Sequence, residues 1–351
     1  MPSSAGKPAP AAAVFGDLPE WDLSDLYPGM ESAELKRDLA LAAERAIARE
    51  QRWKGTVAAE AAKGGAGALG QAVAEFEALE ELIGRIVSYA GLIYAGDTAD
   101  PKRAKLYGDV QEKMTDASAH LLFFGLELNL VDDALINAAL AADKAFGHYR
   151  PWVLDLRMDK PYQLADRVEQ LFHEKSVTGR GAWNRLFDET MTALRFTVDG
   201  EELTLEPTLN LLQDADGEVR RKASEALAET FAANLRIFTL ITNTLAKDKE
   251  ISDRWRGFQD IADSRHLANR VERDVVDALS AAVREAYPRL SHRYYAMKAR
   301  WLGVDRMNNW DRNAPLPETP QATIGWDEAR NTVLQAYHRF SPDMADIARR
   351  F

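Results

Sequence analysis

The sequence predicts a mainly α, multi-helix protein interrupted by one small β-hairpin. Two observations carry that reading. In several long segments the apolar residues recur at alternating steps of three and four, the pattern of a helix that buries one stripe. One segment alone, LRFTVDGEELTL, alternates apolar and polar residues around a dipeptide suited to a two-residue turn.

The first helix is marked by Phe76, Leu79, Ile83, Ile86, Ala90 and Ile93. Asp100-Pro101 then gives a start signal, an acceptor side chain followed by a ring that presets φ. Behind it Leu106, Val110, Met114, Ala117, Leu121, Phe124 and Leu128 predict a second helix, able to pack antiparallel to the first. A third runs from about Glu218 to Glu250, capped by Asp216 and striped by Leu227, Phe231, Leu235, Phe238, Ile241 and Leu245. The fourth carries Val275, Leu279, Val283 and Ala286, is kinked or broken at Pro288, and resumes through Tyr294, Met297 and Trp301. In the hairpin, Leu194, Phe196 and Val198 precede Asp199-Gly200, and Leu203 and Leu205 follow it. This hairpin also reads as a domain boundary. The last segment, FSPDMADIARRF, opens as a helix, with Ser341 as N-cap, Pro342 in the first turn and Asp343 at the positive end. Met344, Ile347, Ala348 and Phe351 form its stripe, and neither Gly nor Asn follows to stop it. AAEAAKGGAGALG reads as a flexible internal loop, and no repeat with a period of roughly 20 to 50 residues is visible.

A chain of 351 residues has room for roughly two domains. It has no cysteine, which excludes disulfides, thiol nucleophiles and Cys-ligated zinc or iron–sulfur sites and fits a reducing compartment, the cytoplasm by default. The net charge is -11 and the basic residues are dispersed among acidic ones, which argues against a nucleic-acid partner. The opening MPSSAGKPAPAAAVF lacks the continuous apolar core of a signal peptide, and no run approaches the ~20 apolar residues of a membrane span. The expectation is a soluble protein with a disordered tail over residues 1–20 and no membrane partner.

Candidate chemistry is sparse. Gly65, Gly67 and Gly70 spell GxGxxG, but a dinucleotide loop needs a preceding strand to aim its amides at a pyrophosphate, and an Ala-rich, helix-prone stretch stands there instead. A flexible loop is the favoured reading, and a nucleotide enzyme built on these glycines a minor alternative. His173-Glu174 matches the first half of HExxH, in which two His one helical turn apart hold zinc, but the fifth position is Val177. Glu169 and His173 share a helix face at i and i+4, yet two ligands do not make a stable metal site, so a surface or helix-end His is expected. Asp263, Ser264, Arg265 and His266 include triad residue types without a GxSxG elbow and read as a polar turn or cap before the next helix. In DRWRGF, Arg254, Trp255 and Arg256 suit a helix C-terminus ended by Gly257, with Arg–Trp cation–π packing and a structural role. The alternative for this stretch, Phe258 included, is a channel lining. In YPRLSHRYYAMKARW, Tyr294, Met297 and Trp301 are expected in the core, while His292, Arg293 and Tyr295 face solvent or a groove.

Several of these stretches resemble one family. WDLSDLY (21–27), EKSVTGRGAWNRLFDE (174–189), DGEELTL (199–205), DKEISDRWRGF (248–258), SRHLAN (264–269) and WDRNAPLP (310–317) resemble, in order, the oligoendopeptidase F branch of the thimet-oligopeptidase-like (M3) metallopeptidases. The likeness runs from about Trp21 to Phe351. It implies an oligopeptidase-like helical architecture, incomplete at the C-terminus, in a cytoplasmic zinc endopeptidase that cuts short peptides inside a channel. By the same resemblance, residues 21–195 form the N-terminal helical domain and 196–351 the start of the peptidase domain, truncated before HExxH. The family holds zinc with the two His of HExxH and a Glu from a later helix, the motif's own Glu acting as general base. None of His120, His148, His173, His266, His292 and His338 pairs at HExxH spacing, so no catalytic or metal ligand is assigned to this chain, and its substrate-binding residues are unspecified. The isolated chain is expected to be inactive and to expose apolar surface where catalytic helices would pack. The rival expectation is a non-catalytic helical peptide-binding or interaction protein.

Overall fold

The computed structural model describes residues 21–316 and 324–350. The tail expected over 1–20, the end of WDRNAPLP at Pro317, and Phe351 lie outside the described residues. The chain folds as a mainly helical protein with one two-stranded sheet among those residues. It divides into two compact units.

The first unit takes residues up to Phe196, with Glu202–Leu205 and Ala228–Ala282. Its helices up to Phe196 are α1 (Ala33–Trp53), α2 (Val57–Ala62), α3 (Leu69–Gly96), α4 (Pro101–Ala119), α5 (Leu122–Leu130), α6 (Asp133–Ala142), α7 (Lys144–His148), α8 (Arg150–Arg157), α9 (Asp166–Lys175) and α10 (Arg180–Ala193). Asp100 works as read, accepting from the N–H groups of Lys102 and Arg103 ahead of Pro101, and Ser32 Oγ, which the sequence reading did not single out, accepts from Leu35 N–H at the start of α1. Helix α3 packs on α1, α4 and α7 and divides the apolar interior. One cluster, around Leu35, Ala46, Ile83, Ile86, Val110 and Met114, joins α1, α3 and α4. The other, around Trp53, Val73, Phe124, Leu128, Phe146 and Val153, gathers the shorter helices, and Phe76 packs against both.

Three expectations need correction. The stripe from Leu106 to Leu128 is two helices, because His120 and Leu121 N–H bond back only three residues, to Ala117 and Ser118, and tighten the backbone out of the α register. The third long helix likewise breaks at Asn234, whose N–H bonds back three residues to Phe231 and whose side-chain amide donates to Thr230 O, dividing it into α12 (Gly217–Ala233) and α13 (Leu235–Arg256). The glycine-rich stretch is not an open loop. It forms a 3₁₀ turn (Gly64–Ala66) between two helices, and its glycines sit where a Cβ would strike backbone: Gly67 at 2.4 Å from Glu60 O, and Gly70 at 2.7 Å from Phe146 N and 2.6 Å from Ala145 Cβ. Gly70 permits the close approach of α3 to α7 and Gly67 that of the turn to α2, with no strand before them to aim at a phosphate.

The hairpin, β1 (Phe196–Val198) and β2 (Glu201–Leu203), turns at Asp199 and Gly200, both at positive φ (52° and 84°). That is the backbone that Asp-Gly promises. Leu205 does not extend β2; it starts α11 (Leu205–Leu211).

The second unit takes Thr197–Glu201, Glu206–Leu227 and residues from Val283 onward. Its helices are α11 apart from Leu205, the first part of α12, the end of α15 (Arg273–Ala286), α16 (Ser291–Trp301), α17 (Trp326–Phe340) and α18 (Pro342–Ala348). Asp216 caps α12 and Ser341 caps α18, as the sequence indicates. Polar groups share the interior here with Ala223, Leu227 and Ala299. Arg220 and Asp311, both nearly fully buried, pair at 2.8 Å, and Lys298 donates to Arg312 O at 2.8 Å. On α16, Lys298 and Ala299 are buried and Met297 is half-buried, while Tyr294 and Trp301, expected in the core, are exposed, because the helix turns toward the Asp311–Arg312 segment; His292, Arg293 and Tyr295 are exposed, within what was expected. Trp326, Val333 and Phe340 on α17, and Met344 and Ile347 on α18, are exposed as well.

Candidate functional site

Within the first unit a cleft of about 820 Å³ opens between α3, α5, the turn after α8, α9 and the segment from the end of α13 through α14 (Asp263–Ala268). That volume lies within the ~300–1,000 Å³ range of small-ligand sites. Its apolar walls come from Phe76, Leu122, Leu126, Leu156, Phe258 and Leu267, and its polar groups from Glu80, Asn129, Gln163, Glu169, His173, Arg256, Ser264 and Arg270.

Two ion-pair forks brace the cleft. Arg256, the last residue of α13, grips Glu169 of α9 through both guanidinium arms at 2.7 and 2.8 Å and also donates to Tyr162 O. Burial acts to raise the Glu169 carboxyl; the bonds from Arg256 and from Leu164 N–H outweigh it and leave the group below the usual glutamate range. Helix α13 can end there because Gly257 is left-handed at φ 82°, and the chain returns N–H bonds to Arg254 O and Asp253 O. Phe258 then stacks on Tyr162, ring centroids 4.0 Å apart, and lines the cleft. The second fork is Arg270, which spans Asp155 at 2.7 and 3.0 Å and Asp159 at 3.1 and 3.3 Å. These bonds push Arg270 above the ordinary arginine value and hold Asp155 below the ordinary aspartate one. Arg270 is not a glycine yet adopts φ 51°, a left-handed conformation that costs on the order of 1 kcal/mol and is held by the fork.

Three polar groups in the cleft are not spent in this way. Glu80, four residues after Phe76 on α3, makes no hydrogen bond or ion pair among the described residues; surrounding protein pushes its carboxyl up, opposed by the charge of Arg49. Asn129 is buried, donates to Gln163 Oε1 at 2.9 Å, and leaves its own Oδ1 without a partner. His173 Nε2 lies 3.1 Å from Thr115 O and donates to it, and in that tautomer Nδ1 is an acceptor.

The sequence-derived candidates fall unevenly around this site. Glu169 and His173 do share a face of α9, and that face lines the cleft, with Arg256 and Phe258 opposite in the lining. Trp255 is not in the lining; it meets Phe172 edge-on, and the cation–π contact expected of the arginines falls on Phe172, with Arg256 5.8 Å from its ring. The run from Asp263 to His266 is neither a turn nor a cap but helix α14 itself, in which Asp263 pairs with Arg273 and Ser264 accepts from Lys249 Nζ at 2.8 Å. Neither residue approaches triad geometry. Sequence reasoning passed over Glu80, Asn129 and the Asp155–Asp159–Arg270 fork. For Asn129 a signal existed, a lone amide inside the apolar run LFFGLELNL.

The fold and the cleft invite comparison with known proteins. Residues 127–196 match the family model Peptidase_M3_N, described as Oligopeptidase F, a segment that includes Asn129, both Asp partners of Arg270, Glu169 and His173. The chain is oligoendopeptidase F-like. It is 21% identical to oligopeptidase PepF of Bacillus subtilis over 337 residues, 94% of this chain and 49% of that protein. It is 24% identical to group B oligopeptidase PepB of Streptococcus agalactiae over 258 residues, 72% of this chain and 42% of the other. Among solved structures it resembles oligoendopeptidase-F from Enterococcus faecium, with a TM-score of 0.73 at 20% identity over 90% of this chain and 64% of that one, which speaks to the fold. The chain thus spans about half the length of the curated relatives it matches. Zinc, which the resemblance implies, finds no fitting donor set here: no three His, Asp or Glu side chains among the described residues come together to hold a metal. No helix among the described residues is long and apolar enough to cross a membrane.

Proposed function

We propose that these residues are the peptide-accommodating helical part of an oligoendopeptidase F-type zinc metallopeptidase that works on short peptides in the cytoplasm. In this reading 21–195 are its N-terminal domain and 196–351 open its peptidase domain, while the zinc ligands and the general base come from outside this sequence. The observation that carries the reading is the cleft of about 820 Å³ in a chain with oligoendopeptidase F-like sequence and fold. Such a cleft suits a flexible short peptide, because a folded protein cannot enter it without unfolding. The absence of cysteine supports the reducing compartment.

Calorimetric titration of the 351-residue chain with a set of pentapeptides and hexapeptides, with and without zinc, tests this. Saturable binding without cleavage is expected. If no peptide binds, the peptide-accommodating role fails; zinc-dependent cleavage by this chain would overturn the placement of the catalytic groups outside it.

A further inference from the structure

The cleft holds five formally charged side chains besides His173, and their pairing is unequal. Both cations are committed: Arg256 to Glu169, and Arg270 to Asp155 and Asp159, each through two or more bonds. An anionic ligand would have to break a fork to find a free guanidinium. The unspent groups that accept without donating are the Glu80 carboxylate, Asn129 Oδ1 and His173 Nδ1, while the hydroxyls of Ser118, Tyr162 and Ser264 in the same walls can donate or accept. Arg49 on α1 acts on Glu80 only through its charge, since none of its guanidinium nitrogens has a hydrogen-bond partner.

We infer that this cleft takes an alkylammonium group of a short peptide, at its N-terminus or on a lysine side chain, against Glu80, Asn129 and His173. The inference rests on the peptide-binding reading and adds the chemistry of what is selected. An ammonium brings three donors and no acceptor, which matches the unspent set. Glu80 supplies the opposite charge, and its exposure leaves it within a ligand's reach. Asn129, in the same wall, has an Oδ1 without a donor, and an N–H group that reached it would satisfy it. The methylenes of the ligand find Phe76, Leu122, Leu126 and Leu156 in the same walls.

The test uses the whole chain and three hexapeptides that share one sequence: one with a single lysine and a free N-terminus, one with norleucine for the lysine, and one acetylated at the N-terminus. Calorimetry should give a Kd for the parent about tenfold tighter than for at least one of the uncharged versions, the loss expected for a charge-assisted hydrogen bond. Loss with norleucine assigns the group to the side chain, and loss on acetylation assigns it to the N-terminus; both support the inference. Glu80→Gln, an isosteric change at an exposed helix position, should bring the ratio close to one while leaving the circular dichroism spectrum and the binding of the uncharged peptide unchanged. Equal affinity of the three peptides for the unaltered chain, or a ratio that survives Glu80→Gln, overturns the inference and leaves peptide binding standing. Failure of every peptide to bind overturns both.

Discussion

Replacing Arg49 by methionine should make the protein more stable. Arg49 lies on α1 with only 5% of its surface exposed, and none of its three guanidinium nitrogens has a hydrogen-bond partner. What it has is aromatic company: its guanidinium carbon is 4.1 Å from the centre of the Phe124 ring and 5.3 Å from that of Phe76. Burial pulls its pKa down to about 10, against weak support from the charges of Glu75 and Glu80. At about 1.4 kcal/mol per pKa unit, the buried charge costs on the order of 3 kcal/mol, whereas the ring contacts return about 1–2 kcal/mol. Arginine with its folded pKa lowered is charged in both states at neutral pH, so the penalty is fully present there and is relieved only as pH rises above about 10. Methionine keeps the unbranched stem and its contacts with the rings while removing the charge. The expected gain is about 1–2 kcal/mol at pH 7, read as a higher urea midpoint with an unchanged m-value. A loss of 1 kcal/mol or more would refute the reasoning and show that the ring contacts outweigh desolvation.

Other expectations follow from single contacts. On α3, Gly70→Ala should destabilise by about 1–3 kcal/mol, since its Cβ would meet Ala145 and Phe146, whereas Gly84→Ala, with nothing within 4 Å, should stabilise by up to about 1 kcal/mol; paired urea melts decide. Glu169→Gln should cost about 2 kcal/mol at pH 7. Because the folded pKa of Glu169 is depressed, its contribution is present above the ordinary glutamate range and is lost as pH falls through the folded value, so the variant's stability profile should be flatter across that acid window. In the second unit, Asp311→Asn leaves Arg220 as a buried uncompensated cation and should cost about 3–5 kcal/mol, visible as faster amide exchange in α12.

The long helices α3, α4, α12, α13, α15 and α16 and the last one, α18, were legible in the sequence because an apolar stripe is a local pattern, whereas α1 and the short helices were not singled out. Boundaries were not legible. The spacing of Leu106 to Leu128 runs unbroken through His120, where the backbone tightens, since side-chain periodicity does not report which carbonyl an N–H selects. The glycine cluster misled for the opposite reason. Glycines 65, 67 and 70 look like freedom in one dimension, but two of them are filled by contacts with α6 and α7, more than 70 positions away in sequence, and Gly67 is closed by the backbone of α2. On α16 the pattern favoured the aromatics as core, and a buried lysine donating to Arg312 O took the inner position instead.

The cleft was harder to foresee because its chemistry lies in subtraction. Arg256 and Arg270 read in the sequence as cations, and a cleft with two arginines suggests a site for carboxylates or phosphates. Each finds its partners about 90 to 115 positions away, which no local pattern discloses. Once the forks close, the cations serve to hold α9 and the turn after α8 against the end of α13 and α14, and the charge left over is that of Glu80. A glutamate on a helix four residues from a core phenylalanine is ordinary in sequence. Its meaning depends on the two arginines of the cleft wall having been paired first, with Arg49 acting on it through charge alone, so the selectivity of such a cleft is set by the group that no fork commits, not by the most conspicuous one.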